Sequence, residues 1–124
     1  MKESVKLWIE ALRSGKYRQG KGQLNVKESM CCLGVACELF IQNGGTLSRE
    51  VIHGDDVRYG GDDYYTPKAV KEWLGLRDQR GDFGGVFEGK SLSSMNDNGQ
   101  SFAQIADLIE SNPPGLFYED KEAV

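Results

Sequence analysis

A short stretch that joins glycines to basic side chains is the part of this sequence best suited to bind an anion. Residues 15–22 read Gly-Lys-Tyr-Arg-Gln-Gly-Lys-Gly and are called the basic loop below. Successive backbone amides in a glycine-rich turn can form an anion-binding concavity. Lys16, Arg18 and Lys21 would neutralise phosphate groups, with the guanidinium able to bind in a bidentate manner. Tyr17 would stack on a base.

Two other interpretations of the basic loop compete with ligand binding. Its spacing matches the G-x-x-x-x-G-K part of a P-loop, but Gly22 stands where Ser or Thr should hold the metal. A P-loop also follows a strand and precedes a helix, whereas here the order is reversed. The remaining alternative is a mobile basic surface loop.

Three cysteines, Cys31, Cys32 and Cys37, lie within seven residues. An odd number so closely spaced is not a disulfide framework. A catalytic cysteine needs a base, and His53 is the only imidazole in the chain. Free cysteine commonly behaves as a small buried hydrophobe, so we expect a core helix here, with no catalytic residue, no metal ligand and no cofactor.

Acidic and aromatic residues alternate with glycine in the middle of the chain. Asp55, Asp56, Asp62 and Asp63 could supply oxygen ligands to Mg²⁺ or Ca²⁺, but they lack the spacing of an EF-hand, and solvated turn residues are the default interpretation.

The aromatic residues of the Gly-rich loops are the second candidate binding surface. Of these we assign Tyr59 and Tyr64 to the ligand site. The alternative is that such rings pack over the core.

The spacing of apolar residues predicts four helices and one further helical turn. The helices are expected at Ser4–Ser14, about Met30–Asn43, Pro67–Leu74 and Phe102–Ser111, with the turn at Leu92–Met95. Ser29 and Thr66 are expected to cap the second and third helices, and Ser101 with Gln104 forms a capping box for the last. We expect Trp73 to lie in the buried stripe of the third helix.

Short strands and turns fill the remaining segments. Strands are predicted in Gln23–Lys27, Leu47–His53 and Val86–Phe87, a hairpin or paired loop around Gly60–Gly61, and a turn at Asn96–Gly99. Glycine accounts for 16 of 124 residues, against a usual ~7%, which indicates many loops.

The fold class follows from this order of elements. Helices and strands do not alternate as βαβ units, so we predict a single compact α+β domain over residues 1–124, with about four helices, a small antiparallel sheet and Gly-rich loops. We expect residues 119–124 to fray as an acidic tail.

Charge is divided unevenly along the chain. The first 28 residues carry seven basic and three acidic side chains, and the remaining residues carry eight basic and sixteen acidic ones. The net charge of the whole chain is −4. A basic quarter on an acidic body indicates one anion-attracting face and argues against duplex nucleic acid as the partner. No apolar run approaches the ~20 residues that span a bilayer, so we expect no membrane association and a cytoplasmic location.

Several motifs together resemble a set of small bacteriophage and prophage proteins. These are the segment Ser14-Gly15-Lys16-Tyr17, the core Cys31-Cys32-Leu33-Gly34-Val35, and the later stretches 73–76 and 92–107. The similarity covers most of the chain. It implies an accessory protein that works in the cytoplasm of a host cell, and it carries over no catalytic residues.

We therefore expect a non-enzymatic binding protein. The favoured ligand is a small anion such as a cyclic nucleotide signal, which a phage protein would sequester as a counter-defence sponge. The alternatives are a module that inhibits a host protein and a cysteine- or metal-dependent enzyme. The sequence leaves the oligomeric state open, with a homo-oligomer among the alternatives.

Overall fold

The fold is α+β, as the sequence predicts. The computed structural model describes residues 1–52, 54–84 and 90–118, so the predicted strand at Val86–Phe87, His53 and the acidic tail lie outside the described residues. The helices of the described part are α1 (Glu3–Arg13), α2 (Cys32–Gln42), α3 (Lys68–Leu74), α4 (Leu92–Asp97) and α5 (Phe102–Glu110).

The strands are short and form two sheets. They are β1 (Arg18–Gln19), β2 (Asn25–Val26), β3 (Ser29–Met30), β4 (Arg49–Ile52), β5 (Asp56–Tyr59), β6 (Asp82–Phe83) and β7 (Lys90–Ser91). The larger sheet has the order β1-β3-β2-β5-β4 and is mixed, because β1 pairs with β3 in parallel while the other pairs are antiparallel. Strands β6 and β7 form an antiparallel pair.

Helix α2 is the centre of the core. Residues 32–37 are all buried, and α1, α3 and α4 pack around it, while α1 also packs against α5. Trp8 of α1 is fully buried, and its indole N–H donates to the carbonyl oxygen of Cys32 at 2.9 Å. The apolar residues whose spacing predicts α1 and α5 lie on the faces that the structure buries.

Glycine at position 34 lets another part of the backbone approach α2 closely. A Cβ built at Gly34 would overlap the carbonyl oxygen of Leu24, which precedes β2 and is fully buried. The absent side chain therefore sets how closely the larger sheet sits against the core helix.

Two predicted helix caps are wrong. Ser29 does not cap α2, because Ser29–Met30 form β3 and the helix begins after Cys31. Thr66 does not cap α3, whose N-cap is Pro67, because the Thr66 hydroxyl donates instead to the carbonyl oxygen of Gln79. Strand pairing with β1 and β2 takes Ser29 away from its local helix, and a hydrogen bond to a residue 13 positions further on does the same for Thr66.

Two further local predictions are confirmed, the capping box and the hairpin turn, and the predicted burial of Trp73 is wrong. The capping box of Ser101 and Gln104 is present. The backbones of Tyr59 and Asp62 pair across Gly60–Gly61, whose φ angles of 58° and 89° suit a two-residue hairpin turn. Trp73, in contrast, is only half-buried and packs edge-on against Phe40, with ring centroids 5.5 Å apart.

Substituting Gly34 tests the close approach of the sheet to α2. Gly34→Ala should lower the free energy of unfolding by at least about 2 kcal/mol, because the methyl group forces the helix and Leu24 apart. Gly22→Ala is the control. A Cβ added at Gly22 would meet no neighbouring atom, but the φ there is 82°. Backbone strain alone should therefore lower the free energy of unfolding of this variant by about 1–2 kcal/mol. Equal denaturation midpoints for Gly34→Ala and the parent protein would contradict this packing.

Candidate functional site

The basic loop follows directly after α1. Gly15 has a φ of 76° and turns the chain away from the helix axis. Arg13, the last residue of α1, donates to Asp107 at 2.7 Å and to Glu110 at 3.1 Å, and these hydrogen bonds hold the pKa of its guanidinium above the usual value. This cation is neutralised by α5, so the local positive charge is smaller than the sequence count implies.

Gln19 fixes the middle of the basic loop. Its amide nitrogen donates to the Gln100 carbonyl oxygen at 2.7 Å and to Oδ1 of Asn96 at 2.9 Å. Its amide oxygen accepts from the backbone N–H of Phe102 at 3.1 Å, one of the N–H groups that a helix start leaves without a partner in the helix. The side chain thus ties β1 to the beginning of α5.

Asn96 is fully buried in α4 and completes this connection. Its Nδ2 donates to the Gly20 carbonyl oxygen at 2.7 Å, and its Oδ1 accepts from the backbone N–H of Cys32 at 3.2 Å as well as from Gln19. One side chain therefore holds the basic loop, the start of α2 and α4 together. We call Asn96 and Gln19 the amide clamp.

Backbone contacts of the loop glycines add to the amide clamp. The N–H of Gly20 donates to the Met30 carbonyl oxygen at 2.7 Å, and a Cβ at Gly20 would lie 2.9 Å from that of Ser29. The N–H of Gly22 donates to a carboxylate oxygen of Asp97 at 2.8 Å. The backbone of the basic loop at Gly20 and Gly22 is thus part of the folded structure, which disfavours a loop that is mobile throughout. Because these two N–H groups are already paired, they do not form the expected anion-binding concavity.

The three cations of the basic loop point away from these contacts. Lys16, Arg18 and Lys21 are exposed. None of them forms an ion pair with an acidic side chain in the described ranges of the chain. An anchored backbone with three unpaired cations is the arrangement that a polyanionic group would recognise.

The predicted aromatic members of the site differ in accessibility. Tyr17 is half-buried against the core, and its hydroxyl accepts from Gln42 at 3.3 Å, so only part of its ring faces solvent. Tyr64 is 50% exposed, and its hydroxyl accepts from the side-chain amide of Gln23 at 3.4 Å, directly after the basic loop. The structure therefore brings Tyr64 to Gln23, which follows the basic loop, while Tyr17 packs partly against the core.

The expectation that Tyr59 is an exposed binding residue is wrong. Its side chain is fully buried, and its hydroxyl donates to Glu38 and accepts from Asn25 at 2.9 Å. Burial raises the pKa of this phenol above its usual value. Tyr59 therefore holds β5 to α2 through Glu38, which also binds Arg49 at 2.8 Å.

The cysteine environment disfavours nucleophilic chemistry. All three thiols are buried, and burial raises the pKa of Cys31 to about 11. It raises the pKa values of Cys32 and Cys37 well above the ordinary value. Since the thiolate is the nucleophile, these cysteines act as small core residues near neutral pH.

The acidic residues do not converge on a metal site. Within residues 1–52, 54–84 and 90–118, no three His, Cys, Asp or Glu side chains are grouped so that they could hold a metal ion. Asp62 pairs its backbone with Tyr59, and the carbonyl oxygen of Asp55 accepts from the backbone N–H of Lys27 at 3.2 Å.

Among the helices of residues 1–52, 54–84 and 90–118, none is both long enough and apolar enough to cross a membrane.

Comparison with known families assigns the chain. The family model of a domain of unknown function (DUF8296) matches residues 1–113. The chain belongs to this DUF8296 family. No curated protein and no solved structure gives a significant match. The DUF8296 match covers the basic loop, the amide clamp and all five described helices.

The amide clamp was missed by sequence reasoning. Asn96 lies in Asn-Asp-Asn-Gly, which is typical of a turn, yet residues 92–97 form α4. The available signal was the spacing of Leu92 and Asn96, which are four residues apart and so share one helix face. Gln19 gave no such signal, because its three partners are more than 75 residues away in the sequence.

Removing the Asn96 side chain tests the importance of the amide clamp. Asn96→Ala should lower the free energy of unfolding by about 3–5 kcal/mol, because the buried N–H of Cys32 and the partly buried groups of Gly20 and Gln19 lose a partner. Asn98→Ala, at the exposed end of the same helix, should change it by less than about 0.5 kcal/mol. Chemical denaturation measures both, and similar small effects would show that the clamp contributes little.

Proposed function

We propose that this protein binds a small anionic ligand at the basic loop and has no enzymatic activity. The observation that supports the proposal most is the set of exposed cations Lys16, Arg18 and Lys21, which have no acidic partner among the described residues. Three unpaired cations on six residues of chain form a local positive field on a protein of net charge −4.

Preorganisation supports binding at this loop. The amide clamp and the Gly20 and Gly22 backbone contacts fix the chain between and beside the cations, so binding orders three side chains and little backbone. Arg18 lies on β1 next to the anchored Gln19 and would supply a bidentate contact to phosphate.

A ligand with a planar ring as well as a phosphate fits the neighbourhood of the basic loop. Tyr64 lies beside Gln23 at the end of the loop and offers a half-exposed ring for stacking. A cyclic nucleotide combines both features. Together with the resemblance to phage proteins, this favours a counter-defence sponge that sequesters such a signal in the host cytoplasm.

A second candidate function is inhibition of a host protein through the exposed hydrophobic residues. Val51 is 57% exposed on β4, which is one of the two outer strands of the larger sheet, and Tyr65 and Tyr118 are also exposed. An outer strand with an exposed β-branched residue is a site where a partner chain could add a strand. This candidate requires a protein partner and no small ligand.

A thermal-shift screen with nucleotides, cyclic nucleotides and inorganic phosphate identifies the ligand, because a compound that binds only the native state raises the melting midpoint. The variant Lys16→Glu/Arg18→Glu/Lys21→Glu should then bind the compound at least ~30-fold more weakly at low salt. Its own midpoint should stay within a few degrees of the parent value, because these side chains are exposed.

The matched control reverses three exposed cations outside the basic loop: Lys6→Glu/Lys27→Glu/Lys68→Glu, with the same change in net charge. Binding should fall by less than about threefold in the control. An equal loss in both variants would show that net charge alone attracts the ligand. Undiminished binding by the loop variant would remove the basic loop as the site.

A further inference from the structure

A concave surface that no basic-loop residue lines lies between α3 and the segment that leads from α3 to β6. It is an open cleft of about 410 Å³, a volume within the range of small-molecule sites. Its lining consists of Tyr65, Lys71, Arg77, Asp78, Gln79 and Arg80. We call it the arginine cleft.

A buried threonine holds the two walls of the arginine cleft together. Thr66 is fully buried, and both its hydroxyl and its backbone N–H donate to the carbonyl oxygen of Gln79, at 2.6 and 3.2 Å. Tyr65 precedes Thr66 on one wall, and Gln79 lies between Arg77 and Arg80 on the other. The separation of the aromatic wall from the basic wall is therefore fixed.

The basic wall has two further anchors. One carboxylate oxygen of Asp78 accepts from the backbone N–H groups of Arg80 and Asp82, both at 3.0 Å, which closes a tight turn. The backbone N–H of Arg77 donates to the Leu116 carbonyl oxygen at 3.0 Å. The two arginines thus project from a backbone that is already held in place.

The charges in the arginine cleft are unbalanced. Lys71, Arg77 and Arg80 face one lining carboxylate, that of Asp78, which is engaged by the backbone. Arg80 is paired with Asp82 at 2.8 Å. Neither Lys71 nor Arg77 forms an ion pair with an acidic residue of the part of the chain that the structure describes.

We propose that the arginine cleft binds a nucleoside monophosphate. The phosphate group would lie against Arg77 and Lys71, since a guanidinium with a nearby ammonium matches its geometry and charge. The base would stack on Tyr65, which is 42% exposed. This inference goes beyond the proposed function, because the lining of the cleft includes no residue of the basic loop.

Isothermal titration with three probes tests the proposal: adenosine 5′-monophosphate, ribose 5-phosphate and adenosine. The parent protein should bind the nucleotide best, ribose 5-phosphate more weakly and adenosine weakest. Arg77→Gln should weaken binding of both phosphates about tenfold. Tyr65→Leu should weaken binding of the nucleotide by a similar factor and leave binding of ribose 5-phosphate unchanged.

Two control variants make the outcome specific. Lys68→Gln removes an exposed cation of α3 that does not line the cleft, and it should leave nucleotide binding unchanged. The charge-reversed basic-loop variant should retain binding at the cleft within about threefold. All side chains changed are exposed, so equal melting midpoints are expected and serve as the test of folding.

Three results would overturn the proposal. The first is no binding of the nucleotide by the parent protein up to about 5 mM. The second is nucleotide binding that Arg77→Gln leaves unchanged. The third is loss of nucleotide binding in the basic-loop variant alone, which would support the proposed function and reject the cleft. Loss in Arg77→Gln alone would support the cleft whatever the basic loop binds.

Discussion

The buried side-chain amide of Asn96 is the contact on which the arrangement of the basic loop depends. It satisfies the Gly20 carbonyl oxygen, the first helical N–H of α2 at Cys32 and the side chain of Gln19. A polar group removed from water costs free energy unless it has a partner, and the Cys32 N–H is buried while the groups of Gly20 and Gln19 are partly buried. The loop and the starts of α2 and α5 are consequently fixed by the same small set of hydrogen bonds.

Because of these hydrogen bonds, structural residues and exposed cations lie side by side in residues 18–21. Gln19 belongs to the amide clamp and the carbonyl oxygen of Gly20 binds it, while Arg18 and Lys21 on either side stay exposed. The arginine cleft is built in the same manner, with the Thr66 and Asp78 contacts fixing a backbone from which Arg77 and Arg80 project. Both proposals depend on cations carried by a fixed backbone.

Local signals predicted much of the fold, and long-range contacts account for the errors. The capping box at Ser101 and the turn at Gly60–Gly61 depend on neighbours a few residues away, and both are present. Ser29 was misassigned because it pairs with β1 and β2 in the sheet, and Thr66 and Asn96 because their hydrogen-bond partners lie 13 and 76 residues away. The cations of the basic loop were predicted as exposed and are so, whereas the burial of Tyr59 required knowing that Glu38 and Asn25 reach its hydroxyl.

Amide hydrogen exchange of Cys32 and Phe102 tests the amide clamp most directly. Both residues are the first of a helix, where backbone N–H groups lack a partner within the helix and ordinarily exchange fast. Here they donate to Asn96 at 3.2 Å and to Gln19 at 3.1 Å. They should therefore be protected as strongly as the helical amides of Val35 and Ile105. Exchange at the rate of an unstructured peptide would contradict the clamp and the preorganised basic loop that depends on it.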